Sequence, residues 1–275
     1  MGRVGLHRKI PTAQETVTIL SMAVLYDGAG SHGWITVTEE NGIRYLQLDG
    51  TEEGAMDVHS ENPVFHYLWF HKCSFLAQGP VGRALVLGAG AFTAPKLLAV
   101  DHPGAVVDAV DIEDQLERIA RRYFRLELPA FARIRFHGIP GEQFLAEQPQ
   151  QYDFIVDDLF DGFQHVPCRG RDANHVHRLR LNLADGGVCV KNLIWNPLIA
   201  DTRAGCDETW QAWQSEFPNY LSLVLGDPDI GHNRLLIGAN YAGTLAFTDA
   251  KLQLAHAGVP DHILHHTHDF SGRGA

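Results

Sequence analysis

The sequence is poor in cysteine and in positive charge, and each shortage excludes a class of protein. Its 275 residues include four cysteines, none in a C-x-x-C spacing, which argues against a zinc ribbon or a disulfide scaffold. The chain has 22 lysine and arginine residues against 33 aspartate and glutamate residues, a formal net charge of −11. Nucleic-acid-binding proteins usually present a basic face. We therefore expect no metal site and no nucleic-acid partner.

Long apolar runs are also missing. No segment approaches the length of a membrane span, and residues 1–10 lack the apolar stretch of a signal peptide. The composition, 45% hydrophobic and 20% charged, is typical of a folded protein. These features predict a cytoplasmic protein without a membrane partner, and the acidic balance favours a cationic substrate such as an amine.

One glycine motif is present but incomplete. Residues 82–95 (GRALVLGAGAFTAP) predict a buried strand, a tight turn and the start of a helix. Gly88 and Gly90 have no Cβ, so the turn can approach a ligand closely. The third glycine of the dinucleotide pattern is missing, which disfavours a pyrophosphate and favours S-adenosylmethionine. The alternative is that both glycines serve packing alone.

An acid follows at the end of the next predicted strand. Asp111 comes 23 residues after Gly88, where such folds place the carboxylate that binds ribose hydroxyls. The alternative for Asp111 is a surface acid that ends a strand. Glu113 fits better as a charge at a helix N-terminus.

The remaining pattern predicts the architecture. Asn41-Gly42 joins two alternating apolar runs, a strong hairpin signal, and residues 56–77 have helical spacing. From Arg83 onward, predicted strands and helices alternate, which indicates a parallel sheet covered by helices. We expect a β-rich N-terminal domain (1–60), a Rossmann-like domain (61–248) and a His-rich, solvent-facing C-terminal tail (249–275).

The motifs LDGT (48–51), GAMD (54–57), GAGAFTAP and VDIE, in this order, resemble the spermidine synthase-like family of S-adenosylmethionine-dependent Rossmann transferases. The likeness extends from about Trp34 to Gly238. It implies an α/β fold of the Rossmann methyltransferase type, with an antiparallel edge on the parallel sheet and a small β-hairpin-rich domain before it. It also implies S-adenosylmethionine or its decarboxylated form as co-substrate, no metal, and a homodimer or homotetramer.

The resemblance also assigns residues. Asp158 and Asp161, in YDFIVDDLFDG, match the catalytic acids, while Tyr67 and Asp161 match substrate-binding positions. The residues that match the donor site are Gly88, Ala89, Gly90, Asp111, Ile112, Gly138, Ile139, Asp158 and Leu159. The alternatives are a helix-capping loop for the aspartates and core packing for Tyr67. We expect Asp157 to face inward or to cap structure.

Two positions depart from the family's pattern. Ala91 stands where the family has an acid that holds the amine of the decarboxylated donor, and Gly138-Ile139 replaces an adenine-binding Gly-Asp. We expect transfer of a methyl, aminopropyl or aminocarboxypropyl group to an amine-bearing small molecule, with an aspartate as base. Two alternatives stay open, namely a non-catalytic adenosyl-ligand-binding module and a nicotinamide-dependent oxidoreductase.

Overall fold

The computed structural model describes residues 22–147, 150–160, 173–195, 200–225, 232–269 and 271. The first part is a four-stranded antiparallel sheet in the order β1-β2-β3-β4. Its strands are β1 (Ala23–Ala29), β2 (Trp34–Glu40), β3 (Ile43–Leu48) and β4 (Thr51–Asp57). Asn41 and Gly42 join β2 to β3 with φ values of 53° and 79°. Both values are positive, as a type I′ turn requires, so the predicted hairpin is confirmed.

The helix predicted over residues 56–77 is wrong at its start. Met56 and Asp57 instead pair with Arg44 and Ile43 as the end of β4. A 3-10 helix follows only at His66–Leu76. Its apolar residues are spaced as in the predicted helix, but the first two residues of the predicted segment pair with β3 and therefore belong to the sheet.

A second, eight-stranded sheet follows. Its strands are β5 (Arg83–Leu87), β6 (Val106–Asp111), β7 (Ile134–Gly138), β8 (Tyr152–Asp157), β9 (Leu183–Trp195), β10 (Asn219–Leu225), β11 (His232–Ala239) and β12 (Thr267–Asp269). Helices α1 (Thr93–Asp101), α2 (Leu116–Tyr123), α3 (Gly141–Glu147), α4 (Ala173–Leu181) and α5 (Ala200–Glu216) lie between them, and α6 (Phe247–His256) and α7 (Asp261–His265) precede β12. The strand order is β12-β10-β11-β9-β8-β5-β6-β7.

The parallel part of this sheet creates the binding edge. Strands β7, β6, β5, β8 and β9 are parallel, and β11, β10 and β12 extend the sheet with antiparallel pairs. The fold class is therefore confirmed. The chain moves outward from β5 through β6 to β7 and then returns to β8 on the other side of β5. Such a switch point opens a crevice at the carboxyl ends of the strands.

Apolar side chains fill both faces of the large sheet. On one face, Ile35, Val37 and Leu46 of the small sheet join Val86 and Val107 in a single buried cluster. The small sheet therefore packs on this face of the parallel strands, and the two sheets share one core. On the other face, Leu85 and Ile155 pack with Trp213 and Phe217 of the α5 region. None of the described helices combines the length and the apolarity needed to cross a membrane.

The segment expected to be a solvent-facing tail is folded. Residues 247–269 form α6, α7 and β12, and β12 pairs with β10 at the edge of the large sheet. Apolar residues such as Leu254 and Ile263 are buried in the first core cluster. The prediction was based on the high histidine content of this segment. The apolar residues that lie between the histidines form the face that packs in the core. Strands β10 and β11 form the antiparallel edge that the resemblance implies, and β12 extends this edge by pairing with β10.

A buried ionic cluster holds the end of β8. Asp157 is fully buried, and its Oδ2 accepts hydrogen bonds from Lys191 Nζ at 2.7 Å and from His175 Nε2 at 2.8 Å. Burial opposes ionisation, but the two partners overcome it and hold the pKa of Asp157 well below its usual range. Asp157 therefore faces inward, as expected, and fixes the backbone immediately before Asp158.

We expect Lys191→Met to destabilise the protein by about 3–5 kcal/mol, because it leaves a buried carboxylate without its main counter-charge. Urea unfolding measures the change in the free energy of unfolding. The double variant Asp157→Asn/Lys191→Met removes both charges and should recover part of the loss. Equal stability of Lys191→Met and the unmodified protein would show that the cluster does not support β8.

Candidate functional site

A cavity of about 1310 Å³ opens at the carboxyl ends of the parallel strands. Its wall includes residues of β4 in the small sheet, of the 3-10 helix, and of the loops after β5, β6 and β8. The glycine turn and both assigned acids of the described chain, Asp111 and Asp158, line it. The structure thus brings together residues that are far apart in the sequence.

The glycine turn is packed against two other segments. Gly88 (φ 85°) and Gly90 (φ 47°) have positive φ. A Cβ on Gly88 would lie 2.4 Å from the carbonyl oxygen of Asp158, and a Cβ on Gly90 would lie 2.6 Å from that of Glu53. Both glycines therefore have a packing role, and the packing holds two acid-bearing segments beside the cavity. Ala89 lies between them on the same wall.

Asp111 is held against this turn. Its Oδ2 accepts hydrogen bonds from the backbone N–H groups of Ala89 at 2.9 Å and Gly90 at 3.2 Å, and its Oδ1 accepts one from Glu113 at 3.1 Å. Burial raises the pKa of Asp111, against the lowering effect of these bonds. Each carboxylate oxygen retains acceptor capacity, so the side chain can still bind hydroxyl groups.

Asp158 has two neutral hydrogen-bond donors. Tyr67 Oη donates to Oδ2 at 3.2 Å, and Asn192 Nδ2 donates to Oδ1 at 2.8 Å. Its own backbone N–H donates to Leu87 at 2.8 Å, which ties the segment to β5. Burial raises the pKa of Asp158 to about 6, a value suited to proton transfer near neutral pH. Tyr67, predicted from the resemblance alone, thus contacts the predicted acid directly.

The other predicted donor-site residues are distributed along the same edge. Ile112 and Leu159 line the cavity, and the Ile112 side chain is exposed to it. Residues 140–142 also line the cavity, whereas Gly138 and Ile139 are not among its lining residues, and the Ile139 side chain packs against the second core cluster. The adenine role of Gly138 and Ile139 stays a prediction. Asp161 lies outside the described residues, so its two predicted roles stay predictions as well.

Sequence reasoning missed two residues of the site. Asn192, on β9, is a neighbour of Asp158 only through the pairing of β8 with β9. Glu53, on β4, lies beside the glycine turn because β4 packs on it, with Gly54 close to Ala91. A glycine within a strand often marks close backbone approach or a bulge, so Gly54 was the available signal for Glu53.

The small sheet also closes the far side of the site. Glu113 is fully buried, and its Oε2 accepts a hydrogen bond from the backbone N–H of His32 at 2.7 Å. Ser31 Oγ donates to Asp114 Oδ1 at 2.6 Å. Glu113 therefore anchors the β1–β2 turn, which is a structural role in addition to its place at the start of the α2 region.

The charged residues of the cavity wall favour a cationic ligand. Its wall includes seven acidic residues, namely Asp49, Glu52, Glu53, Asp111, Glu113, Glu142 and Asp158. Among the described residues the wall contains no lysine or arginine, and its basic groups are His32 and His66. Such a wall attracts cations and repels phosphates. It fits the sulfonium and ammonium groups of an S-adenosylmethionine-type donor.

No group of three or more histidine, cysteine, aspartate or glutamate side chains suited to a metal occurs in the described part of the chain. His262 packs edge to face on His66, with ring centroids 5.9 Å apart. Three cysteines, Cys73, Cys189 and Cys206, are buried and form no disulfide within the described part of the chain, and Cys168 lies outside the described residues.

Curated proteins that are similar to this chain in sequence include an aminopropyltransferase and a methyltransferase. A polyamine aminopropyltransferase from Vibrio vulnificus is 25% identical over 167 residues, which are 60% of this chain and 54% of that protein. The chain thus spans about half the length of the relative it matches. No protein-family model matches the chain.

Two solved structures share the fold. A probable spermidine synthase from Corynebacterium glutamicum superposes with a TM-score of 0.73 over 89% of both chains, at 18% identity. Human methyltransferase-like protein 13, solved with SAH, gives a TM-score of 0.56 at 20% identity, over 73% of this chain and 91% of that one. At these identities the structural likeness shows the fold. Together with the sequence match, it confirms the resemblance of this chain to the spermidine synthase-like family.

Proposed function

We propose that this protein transfers an alkyl group from S-adenosylmethionine, or from its decarboxylated form, to an amine-bearing small molecule. The observation that carries the proposal is the position of Asp158. Its carboxylate lies at the switch point of the sheet, in an acid-walled cavity beside the glycine turn, and its pKa is raised to about 6 by burial. Its two side-chain partners, a neutral phenol and a neutral amide, orient the carboxylate without neutralising it.

The donor brings an electrophilic carbon bound to a sulfonium. The acceptor must attack this carbon as a neutral amine, so a new N–C bond forms while the S–C bond breaks and its electron pair stays on sulfur. The proton lost from nitrogen goes to Asp158, the proposed base. Tyr67 and Asn192 hold that carboxylate in one orientation, and alignment of the two reactants supplies most of the acceleration.

Donor binding is assigned to the glycine turn and its surroundings. Asp111 is placed to accept hydrogen bonds from ribose hydroxyls while it holds the turn. Ile112 and Leu159 supply apolar contacts to adenine. The proposal leaves the transferred group open among methyl, aminopropyl and aminocarboxypropyl, since this depends on which sulfonium carbon faces the acceptor. A dimer or tetramer in the cytoplasm stays a prediction.

The alternatives have less support. A nicotinamide cofactor carries a pyrophosphate, and the seven acidic residues of the wall repel it. None of the relatives described above is an oxidoreductase. A non-catalytic adenosyl-ligand-binding module would retain Asp111 and the glycine turn but would gain nothing from a base with a raised pKa.

Asp158→Asn should lower turnover with a verified amine acceptor by about 100-fold or more, because the amide keeps the shape and cannot accept the proton. Donor affinity, measured by calorimetry, should persist. In the unmodified protein kcat/KM should rise with pH through about 6, as Asp158 ionises. Asp249→Asn, an exposed change on α6, serves as the control. Full turnover in Asp158→Asn would withdraw the base assignment.

Tyr67→Phe tests the hydrogen bond to Asp158. The phenol stabilises the ionised carboxylate, so its loss should raise the pKa of Asp158 and move the acidic limb of the pH profile to higher pH. Turnover at pH 8 should fall less than turnover at pH 6. An unchanged limb would place Tyr67 in packing rather than in proton transfer.

Asp111→Ala should weaken donor binding by about 2 kcal/mol or more, because ribose hydroxyls and the backbone N–H groups of Ala89 and Gly90 lose a charged acceptor. Calorimetric titration with S-adenosylhomocysteine measures this loss. Asp111→Asn, which retains one acceptor oxygen, should lose less. Binding equal to that of the unmodified protein would remove Asp111 from the donor site.

A further inference from the structure

Glu53 is placed in the cavity by an irregularity of the small sheet. In the β3–β4 ladder, Leu46 pairs with Gly54 and Gln47 pairs with Glu52, so Glu53 is an extra residue on β4. A bulge of this kind bends the strand and redirects a side chain, and bulges are frequent next to active sites. The carbonyl oxygen of Glu53 lies against Gly90, and its side chain lines the cavity.

The Glu53 carboxyl group has no counter-charge among the described residues. No described residue donates a hydrogen bond or an ion pair to it, although Asp111 and Asp158 are close enough to raise its pKa. Burying a carboxylate next to two others is costly unless a cation accompanies it. The described residues of the wall supply no lysine or arginine, and a cation on the bound molecule would stabilise the ionised form of Glu53.

The position of Glu53 indicates which cation this is. The carbonyl oxygen of Glu53 lies against Gly90, whose backbone N–H donates to the donor-side acid Asp111. The backbone of Glu53 also lies on the glycine turn, under the donor's amino-acid or aminopropyl chain in the proposed function. The acceptor nitrogen, by contrast, has to reach Asp158.

We propose that Glu53 is a specificity-determining residue whose carboxylate pairs with the ammonium group of the adenosyl donor. This inference rests on the proposed function and adds to it the residue that holds the donor's charged chain. Glu53 then provides from β4 an acid that Ala91 does not provide from the turn. The Cβ of Ala91 itself lies close to Gly54 of the same strand β4.

Ionisation of Glu53 gives the proposal a second readout. Burial, followed by the effects of Asp111 and Asp158, raises its pKa to about 7. A bound ammonium favours the ionised carboxylate, so donor binding near pH 6.5 should release protons. The other titratable groups of the described cavity wall are Asp49, Glu52, Tyr67, His32, His66, Glu113 and Glu142. A Glu53 variant retains all of these side chains.

The test compares two thioether ligands by calorimetry. Decarboxylated S-adenosylhomocysteine has an ammonium as its one charged group, and 5′-methylthioadenosine has the same adenosine and sulfur without it. Glu53→Gln should weaken the first ligand about tenfold or more and change the second by less than twofold. Titrations at pH 6.5 in phosphate and in Tris buffers should show proton release with the first ligand, and this release should be smaller in Glu53→Gln.

Glu40→Gln is the matched control, since Glu40 belongs to the same sheet and does not line the cavity. Glu53→Asp, which keeps the charge on a shorter side chain, should retain part of the affinity. Equal weakening of both ligands by Glu53→Gln, or of neither, would overturn the inference. If neither ligand binds the unmodified protein, the proposed function itself fails. This outcome is distinguishable from a failure of the Glu53 inference, in which the unmodified protein binds both ligands.

Discussion

The close backbone approach at the glycine turn is the constraint on which the site depends. The carbonyl oxygens of Asp158 and Glu53 lie 2.4 Å and 2.6 Å from the positions that Cβ atoms of residues 88 and 90 would take. Larger residues would push the β8 loop and β4 away from β5. Three acids, from β4, β6 and the β8 loop, therefore share one cavity because two residues of the turn lack side chains.

This arrangement concentrates negative charge, and the structure stabilises it in different ways. Asp157 has Lys191 and His175 as permanent partners. Asp158 has Tyr67 and Asn192, which orient a carboxylate without neutralising it. Asp111 is held by backbone N–H groups, and Glu53 has no partner among the described residues. The negative charge of Asp157, behind the cavity, is thus neutralised by its partners. The acids that line the cavity keep their negative charge available for a cationic ligand.

Local signals predicted much of this from the sequence. The Asn41-Gly42 turn and the strand–glycine–helix pattern depend on neighbouring residues, so they could be read directly. Cross-strand relations could not. Asn192 meets Asp158 only through strand pairing, and Glu53 reaches the cavity through a bulge that shifts the register of β4. The helix predicted at residues 56–77 failed for the same reason, since pairing with β3 overrode local spacing. The histidine content of residues 249–275 concealed apolar residues that pack in the core.

The central claim is that this acid-walled cavity binds an adenosyl donor and aligns it with an amine. Native mass spectrometry of the purified protein, incubated with each donor and a set of small amines, tests it most directly, because bound ligands and alkylated products are identified in one experiment. We expect a protein–adenosyl complex and an alkylated amine formed in equal amount to the demethylated or thioether product. A protein that binds none of the adenosyl ligands and forms no such product would contradict it.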